Sequence, residues 1–172
     1  AWSGAVQSLI LSVMQSPALD RWIEWLDAYL SEKPLWPNQK IETIVTSRMV
    51  GALLARQPDR SDFRDWIERD LSLARSLSDR TIRLEALHYA TLAFLWLGDF
   101  RRYEHLLGEI EQTSTSDDFP SRIWWYWSKA VYINQAPSGP ATAIPYIEKG
   151  MELSVHHGIM FWVPFFLAEQ FN

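Results

Sequence analysis

The chain contains no cysteine among its 172 residues. Disulfide frameworks and thiolate metal sites are therefore excluded, and no thiol can act as a nucleophile. Basic runs are equally scarce: none exceeds the pair Arg101-Arg102, and the formal net charge is −5. The electropositive patch that nucleic-acid binding requires is missing, which argues against direct contact with DNA or RNA. Long apolar stretches are missing too. The longest, Ile159 to Leu167, holds Pro164 and falls far short of the ~20 residues needed to span a bilayer. No secretory pattern opens the sequence, and a cysteine-free composition fits a reducing compartment, so a cytoplasmic location without membrane insertion is expected. There is no GxxxxGK[ST] phosphate loop, no serine in an elbow motif and no segment of period-2 alternation.

What is present is aromatic and helical. Hydrophobic residues make up 48% of the chain and charged residues 22%, proportions of a folded domain rather than a disordered one. Ten residues are tryptophan, an excess that must be buried in a core or an interface, or displayed for recognition. The sequence starts at Ala1 and stops just after an apolar run, which reads as a segment of a longer protein.

Apolar positions recur at helical spacing along the whole length. Val6, Leu9, Ile10, Val13 and Met14 form a first stripe, and Trp22, Ile23, Leu26, Tyr29 and Leu30 a second. Ile41, Ile44, Val45, Met49, Ala52 and Leu53 follow, then Phe63, Trp66, Ile67 and Leu71. Turn chemistry separates them at Ser16-Pro17, Pro34 and Pro37, Gln57-Pro58-Asp59, Ser78-Asp79, Gly98-Asp99, Ser116-Asp117-Asp118 and Pro137-Ser138-Gly139-Pro140. Asp79 and Asp99 are placed to cap the helices that follow them. These signals predict about nine helices at 4–14, 18–31, 38–56, 61–76, 80–97, 100–113, 120–135, 140–156 and 158–171, in one all-α domain over 1–172. Connections are short except at 32–37 and 114–119, so consecutive helices should pack antiparallel.

The pairs look like repeats. Arg21-Trp22-Ile23-Glu24 matches Asp65-Trp66-Ile67-Glu68, 44 residues on, and Ser61-Asp62-Phe63 matches Gly98-Asp99-Phe100, 37 residues on. A weaker fourth unit sets Ala141, Ile144, Ile147 and Met151 on Phe100, Tyr103, Leu106 and Ile110, 41 residues on. Such spacings suit two-helix repeats that bury their apolar faces only against neighbours.

The segment Ala90 to Leu107, ATLAFLWLGDFRRYEHLL, resembles a tetratricopeptide-type (TPR) unit, although the unit lengths depart from a strict 34-residue repeat. The stretch Ala52 to Leu77, ALLARQPDRSDFRDWIERDLSLARSL, resembles the helical sensor region of MalT-like signal-transducing ATPase regulators. The resemblance spans most of 38–156 and rests on no catalytic motif. It implies a right-handed superhelical array of antiparallel helix pairs, a TPR-like α-solenoid, serving as a ligand- or partner-binding arm. The nucleotide switch and DNA-reading modules of such regulators are not in this sequence.

Chemistry-bearing residues are few. Glu85 and His88 stand at i, i+3, a spacing used twice in di-iron bundles, but no second Glu-x-x-His exists, so the pair reads as a partly exposed polar pair. His156-His157 ends a helix before Gly158, where an imidazolium suits the dipole. No metal site and no cofactor are expected. Asp62, Asp65, Glu68 and Asp70 alternate with Arg60, Arg64 and Arg69, which reads as a solvated, salt-bridged face. No catalytic residues are assigned.

The most informative stretch is Ile123-Trp124-Trp125-Tyr126-Trp127. Rings surround more than half a helix, and a middle helix of a stack packs on only two sides. Either the rings fill gaps left by Ala86, Ala90 and Ala93, or Trp125, Lys129 and Tyr132 project into a groove and grip an apolar or planar ligand or a peptide. TPR-type arrays line their concave side with the first helix of each pair, and a shift of 41 places Leu84 on Trp125 and His88 on Lys129, with Arg83 one position aside. The groove candidates are therefore Arg83, His88, Trp125, Lys129 and Tyr132. The last predicted helix, 158–171, is apolar all round, so self-association through it is expected. Three readings stay open: a binding segment of a multidomain signalling or transcriptional regulator, a purely structural oligomerisation scaffold, and a small helical-bundle enzyme.

Overall fold

A computed structural model describes residues 2–12, 17–32, 35–115, 117–135 and 140–171, with the backbone alone for 10–12 and 140. Among the described residues the architecture is all-α, with nine helices and no strand. They are α1 (Trp2–Ser12), α2 (Ala18–Ser31), α3 (Gln39–Arg56), α4 (Phe63–Ser76), α5 (Arg80–Trp96), α6 (Phe100–Thr113), α7 (Phe119–Gln135), α8 (Ile144–His156) and α9 (Val163–Glu169). Short 3₁₀ turns at Pro140–Thr142 and Met160–Trp162 precede α8 and α9. Val13, Met14, Ser16, Pro34, Ser116 and the joint 137–139 lie outside the described residues, as does the side chain of Ile10.

The chain divides into two compact units, Ala1–Asp99 and Phe100–Asn172. In the first unit α3 is the hub: it packs on α1, α2, α4 and α5. A helix with neighbours on so many sides cannot keep a polar face. Accordingly Met49, Val50, Gly51, Ala52 and Leu53 are buried together with Thr43, Thr46 and Ser47. The Thr43 and Thr46 hydroxyls donate to the carbonyls of Gln39 and Glu42, each at 2.9 Å, so neither is buried unsatisfied.

The outer helices α2 and α4 are clearly two-faced. Leu19, Ile23 and Leu26 line the buried edge of α2, and Phe63, Ile67, Leu71 and Ala74 that of α4. Arginines of the α4 region reach other elements as well as their own. Arg60 grips Asp27 (2.7 Å) and Asp62 (2.6 Å), Arg64 meets Asp99 (3.3 Å) and Arg69 meets Glu42 (2.7 Å).

Helix ends follow their local chemistry. Asn38 Oδ1 accepts from the Ile41 N–H at 2.9 Å and Asp79 Oδ1 from the Ile82 N–H at 3.4 Å, capping α3 and α5. α5 closes on Gly98 at φ 69°, with the Asp99 N–H bonded to the Phe94 carbonyl at 2.9 Å and the Gly98 N–H to that of Leu95 at 3.0 Å. This is a Schellman ending, and glycine takes the required left-handed conformation without the backbone strain that an L side chain brings.

In the second unit α7 packs on α6, α8 and α9. Ile123, Ala130, Ile133, Ala143, Ile147 and Phe166 form its core. Tyr103 is fully buried, and its hydroxyl donates to the Ser128 carbonyl at 2.6 Å, joining α6 to α7. The Phe166 ring of α9 lies directly against Gly150 of α8, so close that any Cβ there would collide with it. The expected terminal helix 158–171 is shorter than its apolar pattern suggests. Pro164 tolerates only the first turn of a helix, so α9 begins at Val163 and the preceding residues form a separate turn.

Candidate functional site

The candidates fall in both units. Arg83 and His88 sit on α5 in the first, and Trp125, Lys129 and Tyr132 on α7 in the second.

On α7 all three side chains are partly buried. The Trp125 indole N–H donates to the Leu107 carbonyl of α6 at 3.2 Å, which fixes the ring plane. Tyr126 meets it edge-on at 5.1 Å between centroids, and Tyr146 of α8 tilts against it at 6.0 Å. Lys129 Nζ lies 5.5 Å above the Tyr132 ring, a cation–π distance, and Tyr132 stacks on Tyr103 at 5.7 Å. Burial, and then the neighbouring Glu104 carboxylate, hold the Tyr132 hydroxyl above its usual range.

A cleft of ≈ 190 Å³ opens beside Trp125, lined also by Glu111, Ser114, Thr115, Arg122 and Tyr126. Lys129 and Tyr132 are not among its lining residues, so the α7 candidates separate into a cleft wall and a neighbouring cation–ring pair. Ser114 Oγ is buried and makes no hydrogen bond. Among the described residues Glu111 has no ion-pair partner, whereas Arg122 is already engaged. Of the lining residues only Trp125 carries a signal in the sequence that marks it for this role. Arg122 stands one turn before it, within reach of helical spacing. Glu111 and Ser114 come from the end of α6 and carry no sequence signal.

In the first unit the polar chemistry gathers where α3, α4 and α5 meet. Arg48 of α3 pairs with Glu85 of α5 through both terminal guanidinium nitrogens, one contact at 3.0 Å, and also reaches the Tyr89 hydroxyl at 3.4 Å. Burial raises the Glu85 carboxyl despite this cation. Asp70 of α4 corrects the expectation of a solvated face, for it has no exposed surface. Its position explains this: it lies between Ile67 and Ala74 on the apolar stripe of α4. Asp70 Oδ1 accepts from the Ser47 hydroxyl at 2.6 Å, while Oδ2 has no hydrogen-bond partner. Burial pushes its carboxyl up to about 7, opposed by the Ser47 hydrogen bond.

His88 keeps some exposed surface, yet its Nε2 has none, and burial pushes the ring down to about 3. It is therefore neutral at ordinary pH. Arg83 Nε is buried and lacks a hydrogen-bond partner. Among the described residues no three His, Asp or Glu side chains gather as a metal site, and no helix is long and apolar enough to cross a membrane.

No family model, no curated protein and no solved structure matches this chain.

Proposed function

We propose that the chain is a non-catalytic, cytoplasmic helical-repeat segment of a multidomain signalling or transcriptional regulator, akin to the sensor arm of MalT-like proteins. It binds a ligand or protein partner through α7. The observation that carries this reading is the display on α7: a fixed indole walling a cleft, beside a lysine held over a tyrosine. Rigid aromatic surface of this kind binds at little entropic cost. A TPR-like stack is supported within the first unit by the packing of α1 on α3 and of α3 on α5, the next-but-one contact that stacked hairpins make. The lack of exposed surface on Asp70 favours a structural role for that acid.

A photoreactive benzophenone side chain at position 129 tests the binding surface, with one at Glu68 as the control. Cross-linking in cells should give one discrete adduct from 129, and the purified partner should bind Lys129→Ala/Tyr132→Ala at least tenfold more weakly. Equal adducts from both positions, or unchanged affinity of the double variant, would overturn the proposal.

Self-association belongs to the same reading. Phe161, Leu167 and Phe171 are exposed, the last at 89%, and apolar side chains of this size are seldom left in water as a patch. Sedimentation velocity should show dimer forming with concentration and weakening in Phe161→Glu/Leu167→Glu. A monomer throughout would refute it.

A further inference from the structure

Resting on the α7 reading, we infer that the cleft beside Trp125 binds a free α-amino acid, holding its ammonium at the α6 side and its carboxylate at the α7 side. The size is right for a small molecule with one apolar group. A cavity of roughly 150 Å³ admits benzene, and this cleft is ≈ 190 Å³, below the ~300–1,000 Å³ of drug-sized pockets.

The charges are arranged in two poles. Glu111 lies in the last turn of α6 and Ser114 just beyond it, while Arg122 lies in the first turn of α7. The carbonyl end of a helix favours a cation, so backbone and side chain agree at the α6 pole. At the α6 pole the Glu111 carboxylate has no ion-pair partner among the described residues, and the buried Ser114 hydroxyl has no hydrogen bond. Both can accept from an ammonium group. At the α7 pole Asp118 Oδ1 already accepts from the Ser121 N–H at 3.3 Å, so the anion's partner is Arg122. Arg122 lines the cleft, and the fork of N–H donors on a guanidinium matches a carboxylate.

Between the poles stand the rings of Trp125 and Tyr126. Trp125 has spent its N–H on Leu107 and presents only carbon surface to a side chain. A free amino acid carries both charges beside one carbon and offers an ammonium to one pole and a carboxylate to the other within a cleft of this size, whereas a peptide carries one charge at each end.

Saturation-transfer NMR on the full chain with L-leucine, L-methionine and L-phenylalanine tests this, followed by calorimetry on each. Ligands of this size reach Kd values of about 0.1–1 mM. Glu111→Gln and Arg122→Gln should each weaken binding by about tenfold in variants that circular dichroism shows to be folded, and N-acetyl and amide derivatives should fail to bind. If the blocked derivatives bind as well as the free forms, the two-pole inference is wrong while an aromatic binding surface on α7 survives. Absence of binding, or binding indifferent to both substitutions, overturns the inference. The cross-linking at position 129 is independent of all these outcomes.

Discussion

Asp70→Asn removes a charge from the centre of the first unit while keeping its shape. The asparagine Oδ1 still accepts from Ser47, and the amide nitrogen takes the place of Oδ2, which has no partner. In the folded chain the Asp70 carboxyl titrates at about 7, against an ordinary value of 3.8. The folded state therefore holds the proton more tightly, and Asp70 adds stability at low pH that is lost as pH rises from about 4 through 7. His88 runs the other way. Its folded value, about 3, lies below the ordinary 6.5, so its contribution is present above pH 6.5 and lost as pH falls below that. In the native protein the two oppose each other between about pH 4 and 6.5, and the raw profile hides both.

Comparing variant with parent cancels His88, which both share, and also the constant cost of an unpartnered amide, about 1–3 kcal/mol. What remains is the Asp70 titration together with its coupling to Glu85, whose charge helps to raise it. Between pH 5 and pH 9 the Asp70→Asn variant should gain about 3 kcal/mol relative to the parent, from 1.36 kcal/mol per pKa unit. Urea unfolding of both proteins at four pH values measures it, with Arg60→Ala as a charge change away from the α3–α4–α5 junction. A stability difference between parent and variant that stays flat across this range would refute the assignment of a buried, proton-holding carboxyl.

Other substitutions probe other joints. Gly150→Ala should destabilise the second unit by about 1–3 kcal/mol from overpacking against Phe166, and Phe166→Leu in the same chain should recover part of the loss on a thermal melt. Tyr103→Phe strips the Ser128 carbonyl of its buried donor and should cost about 1–2 kcal/mol in urea unfolding. Arg60→Ala disconnects α2 from the turn before α4, where one guanidinium bridges Asp27 and Asp62. The loss should be about 1 kcal/mol and shrink in high salt. Gly98→Ala forces a Cβ into φ 69° and should cost about 1 kcal/mol.

The helices are legible in the sequence because two independent signals agree on them. Apolar residues recur at 3.6 spacing, and caps such as Asn38 and Asp79 or stops such as Gly98 mark the ends. Expectation and structure part where one signal stands without the other. Apolar runs extend α8 and α9 backwards, although Pro145 and Pro164 fit only a first turn. Asp70 sits among charged neighbours in sequence, while its helical phase puts it with Ile67 and Ala74. The partners of Asp70 and the walls of the Trp125 cleft come from different helices. Such meetings are set by how elements dock, which no local pattern encodes.

α9 has seven residues, too few to stay wound in water on its own, since isolated helices below ~12–15 residues are marginal. Its one fully buried side chain is Phe166, seated where Gly150 leaves no side chain at all. The last stretch of the chain thus has borrowed order. It stays wound by leaning on its neighbours: one ring in one notch, Phe165 against Trp127 and the Asn134 amide on Glu169.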